Sequence, residues 1–303
     1  MDFKKINKSL GRFAARLGLY WCSLIIKVIP WRFMYGFADG LGSIGYRFVA
    51  KQKKIAIESL GIAFGREKSA PELGKIARDC FVFMAKSAVE LLFLMDRPQL
   101  LKKRVEIINK DNLDRALGLG HGIILVSAHF GNFPLLMSKL SLEGYKVAGI
   151  MRPMRDTRVE KFFMDKRRAL KIKTIYSQPR DACVRSTIDA LRANEIVFIP
   201  IDQNFGTGGV FVDFFGQKAA TATGPVVLAQ RTKAALVPCF IIRQPDDRHR
   251  IVFEPAIELE AGPDARATVI KNIQRLTGII ESYIRQYPAE WGWMHRRWKT
   301  KVN

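Results

Sequence analysis

Cysteine is scarce in this chain and scattered. Cys22, Cys80, Cys183 and Cys239 include no CxxC pair, so neither a zinc site nor a disulfide framework is indicated, and a reducing, cytosol-facing setting fits. The four histidines, His121, His129, His249 and His295, lack ligand spacing with one another, and no metal is expected. Long apolar runs are also missing. The longest near the N-terminus, residues 17–26, is closed off by Lys27, Pro30 and Arg32, well short of the ~20 residues that a spanning helix needs. No small-residue cleavage site follows it, which argues against a signal peptide. Internal repeats and Pro/Gly/Ser-rich linkers are absent. Acidic residues are few, 28 against 50 basic, which leaves a net charge of +22 on 303 residues. That imbalance predicts a polyanionic partner: nucleic acid, anionic lipid or an acidic carrier protein. Zinc-finger spacing, a homeodomain-like helix and RNP-type aromatics are all missing, so nucleic acid is not expected. With 48% hydrophobic residues, the chain has ample material for a packed core.

The positive charge is concentrated. Residues 1–54 hold 11 basic and 2 acidic side chains, residues 151–180 hold 10 and 3, and residues 285–301 hold 5 and 1. In the first window, Lys4, Lys5, Lys8, Arg12 and Arg16 flank Leu19, Tyr20, Trp21, Ile25, Ile26, Trp31 and Phe33. This is the composition of an interfacial segment that lies in the headgroup boundary of an anionic bilayer. Residues 1–50 are accordingly expected to form a helical, membrane-associating region, and 51–303 the functional domain. In the last window Trp291, Trp293 and Trp298 stand beside Arg296 and Arg297, and this mixture is expected to form an interface belt.

Apolar residues recur at helical spacing over 51–66, 72–95, 135–143, 156–170, 181–193, 223–233 and 264–286, and Ser69 with Glu72 predicts a capping box. Short continuous apolar runs at 122–128, 147–151, 196–201 and 236–242 predict buried strands. Strands alternating with helices give an α/β fold with a mixed, largely parallel sheet flanked by helices. Chemistry in such sheets sits just beyond the carboxyl ends of strands. His129, Arg152 and Asp202 each follow one of the expected strands.

The densest chemical signal is Ser127-Ala-His129-Phe-Gly131-Asn132-Phe-Pro134: a histidine at a strand end, with a glycine that lets backbone or ligand approach, suits a general base. Further on come Met151-Arg152-Pro153, Ile201-Asp202-Gln203-Asn204, Gly208-Gly209-Val210-Phe211-Val212-Asp213-Phe214-Phe215-Gly216, Thr221-Ala-Thr223-Gly224-Pro225 and Trp291-Gly-Trp293-Met-His295-Arg296-Arg297-Trp298. In this order the motifs resemble those of bacterial lipid A biosynthesis acyltransferases of the lauroyl/myristoyl type, within the lysophospholipid acyltransferase superfamily. The resemblance runs from about Lys53 to Lys299.

That resemblance implies a glycerol-phosphate-acyltransferase-like fold. It implies O-acyl transfer from an acyl-carrier-protein or CoA thioester, used as co-substrate with no other cofactor, to a hydroxyl of a glycolipid at the cytoplasmic face of the cell inner membrane, reached peripherally or monotopically through the N-terminus. In the family a His followed after four residues by Asp or Glu acts as base on the acceptor hydroxyl. His129 matches the first position, but the second falls on Pro134, which cannot orient an imidazole. Asp202, at the end of an apolar strand, is the expected substitute, with Glu143 and Asp156 next in line. Gly131 and Asn132 are expected to supply oxyanion donors and Arg152 a charge at the site. Phe214 and Phe215 are expected in the core or against the acyl chain, and Thr223 at a helix start able to receive a phosphate or carboxylate. Pro134 also motivates a second reading, a catalytically silent membrane-bound binder of lipid or acyl carrier protein.

Overall fold

The computed structural model describes residues 17–302, Leu19 excepted. The expected anchoring residues Lys4, Lys5, Lys8, Arg12, Arg16 and Leu19 lie outside the described residues. The chain runs α1 (20–28), α2 (Trp31–Phe48), α3 (Ala50–Phe64), α4 (Ala70–Leu94), α5 (Pro98–Arg104), β1 (Val105–Ile108), α6 (Lys110–Gly118), β2 (Ile123–Ser127) and α7 (Phe133–Leu142). It continues through β3 (Val147–Met151), α8 (Thr157–Ala169), β4 (Lys173–Tyr176), α9 (Arg180–Arg192), β5 (Ile196–Pro200), a hairpin β6 (Val210–Phe214) and β7 (Gln217–Thr221), α10 (Gly224–Thr232), β8 (Ala235–Arg243), β9 (His249–Phe253) and α11 (Ala265–Gln286).

Seven strands form one sheet in the order β1-β9-β8-β2-β5-β3-β4. Every neighbouring pair in it is parallel except β8 with β9. The mixed, largely parallel sheet flanked by helices is therefore as the sequence predicts. Strand alternation divides the core between the two faces of the sheet. Ile124, Val126, Val197 and Ile199 face one apolar cluster with α9, α10 and α11, while Ile123, Leu125, Ile196 and Phe198 face the other with α2, α5 and α7. Burial on both faces is why these strands are continuous apolar runs rather than alternating ones.

Helix α4 begins as Ser69 and Glu72 require: the Ser69 backbone N–H donates to Glu72 Oε2 at 2.7 Å. Helix α2 crosses α4 closely at Gly42, where a Cβ would fall 2.5 Å from Val82 Cα. Among the described residues no helix is long and apolar enough to cross a membrane. Tyr20, Trp21, Val28, Trp31, Phe33, Ile44 and Phe48 are exposed.

Two expectations need correction. Ile26 is buried with Met34 and Ala38 against α4 rather than free to enter a headgroup layer. The tryptophans of 291–298 do not form an interface belt: Trp291, Trp293, Trp298 and Arg297 are all buried. Their rings pack on Phe64, Phe214 and Phe215. Their indole N–H groups find internal acceptors, Trp293 donating to the Pro288 carbonyl and Trp298 to the Phe214 carbonyl. A buried indole that is hydrogen-bonded belongs to the core, whatever charges stand beside it in sequence.

Candidate active site

Strands β3, β5 and β2 lie side by side and parallel, with Ser127 in register with Pro200. Their carboxyl ends therefore deliver Arg152, Asp202 and His129 to one edge of the sheet. Nδ1 of His129 donates to Oδ1 of Asp202 at 2.9 Å. The other Asp202 oxygen accepts the indole N–H of Trp291 at 2.8 Å, and His295 Nε2 stands 3.4 Å from the Asp202 carbonyl. The Asp202 side chain is 0% exposed and that of His129 34%.

The electrostatics follow from this placement. Burial works against the charged form of Asp202, but the charge and hydrogen bond of His129, with the Trp291 donor, hold its carboxyl below the usual carboxylate range. Burial likewise opposes a charged His129, and the Asp202 carboxylate outweighs it, so the imidazole pKa lies above its ordinary 6.5. A ring with one nitrogen held by a buried carboxylate and no partner for the other among the described residues is arranged to take up a proton at Nε2.

His129 lines a cavity of ≈ 380 Å³, within the range of small-molecule sites. Leu91 of α4 and Met95 just after it, Met137 of α7, Gly149 and Met151 of β3, Phe163 of α8 and Phe198 of β5 give it apolar walls. Phe133 meets the His129 ring edge-on at 5.3 Å and stacks on Phe198. Arg152, Glu160 and Arg167 supply its polar lining. Arg167 is paired with Glu160 at 2.8 Å, whereas Arg152 is exposed and makes no hydrogen bond or ion pair among the described residues. Pro134 sits in the first turn of α7, where its missing N–H costs nothing, and joins the apolar lining.

Several residues expected at the site are committed elsewhere. The Gly131 N–H donates to the Glu290 carbonyl at 2.9 Å, so it is not available as an oxyanion donor. Gly131 is in the left-handed region at φ 59°, and a Cβ there would fall 1.9 Å from the Ile241 carbonyl oxygen; its role is to let the turn pass β8. The Asn132 side chain is turned away, donating to the Ser87 carbonyl at 3.1 Å and to Glu90 Oε2 at 3.0 Å.

Phe214 and Phe215 are buried and do not line the cavity. Phe214 packs against Trp291 and so backs the residue that holds Asp202. Thr223 is also outside the lining, and although it precedes α10 its side chain makes no capping hydrogen bond. Glu143 lies at the far end of α7, paired with Lys139, and Asp156 caps α8. The residue that sequence reasoning placed in a surface belt is Trp291, whose indole completes the environment of Asp202. The only available signal was an N–H donor that a buried indole has to satisfy.

An imidazole–carboxylate pair at the carboxyl edge of an α/β sheet, beside an apolar cavity, is an arrangement able to take a proton from a group held at the cavity wall. The chain belongs to the family described as "Bacterial lipid A biosynthesis acyltransferase", whose profile matches residues 1–300, and it is an acyltransferase. Among similar proteins are the lipid A biosynthesis lauroyltransferase of Escherichia coli (strain K12), 26% identical over 294 residues covering 94% of this chain and 90% of that protein, and the palmitoleoyltransferase of the same organism, 26% identical over 296 residues with the same coverage. A phosphatidylinositol mannoside acyltransferase of Mycobacterium tuberculosis (strain ATCC 25618 / H37Rv) is 27% identical over 197 residues, 64% of this chain and 60% of that one. Among solved structures, the 1-acyl-sn-glycerophosphate acyltransferase of Thermotoga maritima aligns over 85% of this chain and 99% of its own at a TM-score of 0.37 and 12% identity.

Proposed function

We propose that this chain moves a fatty acyl group from an acyl-carrier-protein or CoA thioester to a hydroxyl of a lipid A precursor or a related glycolipid. The observation that carries this reading is the His129–Asp202 contact at the wall of an apolar cavity. The cavity takes the acyl chain. Nε2 of His129 accepts the proton of the acceptor hydroxyl as its oxygen attacks the thioester carbonyl. Asp202 keeps the ring in the tautomer with Nδ1 protonated and stabilises the imidazolium that forms.

The tetrahedral intermediate then expels the thiolate, which takes the proton back from Nε2, giving an ester and a free thiol. Arg152, exposed at the rim and without a partner among the described residues, is the charged group for the developing oxyanion or for a phosphate of either substrate. No resident metal or cofactor enters this scheme.

The exposed Trp21, Val28, Trp31, Phe33 and Phe48, together with the basic excess of residues 1–54, support docking on the anionic cytoplasmic face of the inner membrane. The alternative of a silent binder was motivated by the missing acid at 134, and a carboxylate 2.9 Å from the ring removes that motive. The test is acyl transfer by the purified protein with His129→Ala alongside, and mass spectrometry of lipids from cells with and without the gene. Loss of a defined acyl group from a glycolipid and loss of turnover in the variant are expected; full turnover by His129→Ala would overturn the mechanism.

A further inference from the structure

Five residues, 128–132, separate the last residue of β2 from the first of α7, and His129 stands among them. Three attachments hold this turn. Phe130 forms an antiparallel bridge with Trp291. The Gly131 N–H donates to the Glu290 carbonyl. Asn132, which precedes α7, gives its helix no side-chain cap and sends its amide to Glu90 instead.

Glu90 belongs to α4, and its side chain is 0% exposed. Its carboxylate gathers the Tyr35 hydroxyl at 2.8 Å, both terminal nitrogens of Arg243 at 2.8 and 2.7 Å, and Nε2 of His249 at 3.0 Å. The backbone N–H of Arg243 in turn donates to the Glu290 carboxyl at 3.1 and 3.2 Å. The bonds therefore close a ring: Asn132 to Glu90, Glu90 to Arg243, Arg243 to Glu290, and Glu290 back to Gly131.

A buried ion pair is a poor source of stability, because desolvation cancels most of the attraction and a hydrophobic replacement is often as stable. What such a pair supplies well is a fixed geometry, since each partner must stay where the other is satisfied. Here the geometry is that of the turn bearing His129.

We infer that Glu90 is a positioning residue for acyl transfer: through Asn132 directly, and through Arg243 and Glu290 to Gly131, it fixes the turn so that Nδ1 of His129 meets Asp202 while Nε2 stays open to the cavity. The inference rests on the reading of His129 as the base. Glu90 does not line the cavity and makes no hydrogen bond to the His129 ring. Its effect therefore reaches the rate only through the His129–Asp202 contact, and that makes it separable from a general loss of stability.

The experiment compares the full-length protein with Asn132→Ala, Glu90→Gln and His129→Ala, measuring kcat, KM for an acyl thioester, the pH profile of kcat/KM and the thermal midpoint. Asn132→Ala leaves the Glu90 carboxylate paired with Arg243, His249 and Tyr35, so it reports even where Glu90→Gln does not fold. The expected result is a fall in kcat of about 10- to 100-fold, the scale of a small misplacement of a catalytic group. KM stays within about twofold, and the acid limb of the profile moves to lower pH as His129 loses its carboxylate.

Unchanged kcat in a folded Asn132→Ala would overturn the inference. A lower kcat with the acid limb where the wild type has it would also overturn it, by reducing Glu90 to a structural group. His129→Ala separates the two claims. If it is active, the base assignment fails; if it is inactive while Asn132→Ala matches the wild type, only the positioning role fails.

Discussion

Asp202→Asn isolates the proposed orienter with almost no change of shape. The buried carboxylate accepts two hydrogen bonds, from Nδ1 of His129 and from Nε1 of Trp291. An indole N–H can only donate, so the amide oxygen of the variant has to face Trp291 and the amide NH₂ has to face His129. The ring must then accept at Nδ1 and carry its hydrogen on Nε2, the nitrogen that is meant to take the proton. Flipping the amide would restore the tautomer but set two donors against each other at Trp291, leaving a buried polar group unpaired at about 1–3 kcal/mol.

The negative charge that stabilises the imidazolium is lost in either arrangement. Together these effects predict a fall in kcat of about 10³- to 10⁴-fold, or ~4–5.5 kcal/mol of transition-state stabilisation. The assay is acyl transfer from an acyl thioester to a glycolipid acceptor, with the thermal midpoint read in parallel to establish that the variant is folded. A folded Asp202→Asn enzyme working within about threefold of the wild type would refute the reasoning and leave the ring without its proposed partner.

Other expectations follow from the same geometry. Because Asp202 raises the His129 pKa above 6.5 and only the neutral ring accepts a proton, kcat/KM should fall as pH drops through a value above 6.5; an acid limb below that value would contradict the contact. Gly149 lines the cavity next to Met137 and Met151, and a Cβ there would meet Met151 Cε at 2.8 Å and Met137 Sδ at 3.0 Å. Gly149→Val should therefore shorten the acyl chain the enzyme prefers, read by competition between thioesters of different length. Burial, with the Glu90 charge adding to it and Arg243 opposing, pushes the Glu290 carboxyl from 4.5 up to about 8. The folded state then binds more protons than the unfolded state between those values, so the thermal midpoint should decline as pH rises across that window, and Glu290→Gln should flatten the decline.

How far the sequence is legible depends on where the decisive partner lies. Strands β2 and β5 read clearly because burial on both faces leaves them nothing but apolar residues. The chain ends β1 and β4 with mixed burial at the sheet margins, and β9 carries Arg250 exposed beside β1; with only four or five residues each, they have too little pattern to distinguish a strand from a loop. Asp202 was legible as a candidate because it ends an apolar strand at the edge where His129 emerges.

The structural role of Asn132 was not legible, because a polar residue beside a candidate base looks like a donor to substrate until Glu90, 42 residues earlier in the chain, is seen to claim its amide. Trp291 misled for the same reason. Aromatic and basic residues in one segment describe an interface and a sealed core equally well, and what separates them is a hydrogen bond to a residue 89 positions away.

The departure at Pro134 has a structural logic once both strands are in view. In the pattern that the resemblance implies, the carboxylate would come from the first turn of the helix after the histidine. Here it comes from the end of β5, the hydrogen-bonded neighbour of β2, where strands lie ~4.8 Å apart and Ser127 is in register with Pro200. His129 and Asp202 each stand two residues beyond neighbouring strands in register, and the carboxylate is enclosed on its far side by Trp291. Relieved of that duty, the start of α7 presents Phe133, Pro134 and Met137 to the cavity. An acid at 134 would place charge among those apolar groups, beside the space proposed for the acyl chain, whereas proline keeps the wall apolar. A carboxylate supplied from beyond the adjacent strand is therefore compatible with two demands on the same few residues, an ion beside the imidazole and an apolar wall for the proposed acyl site.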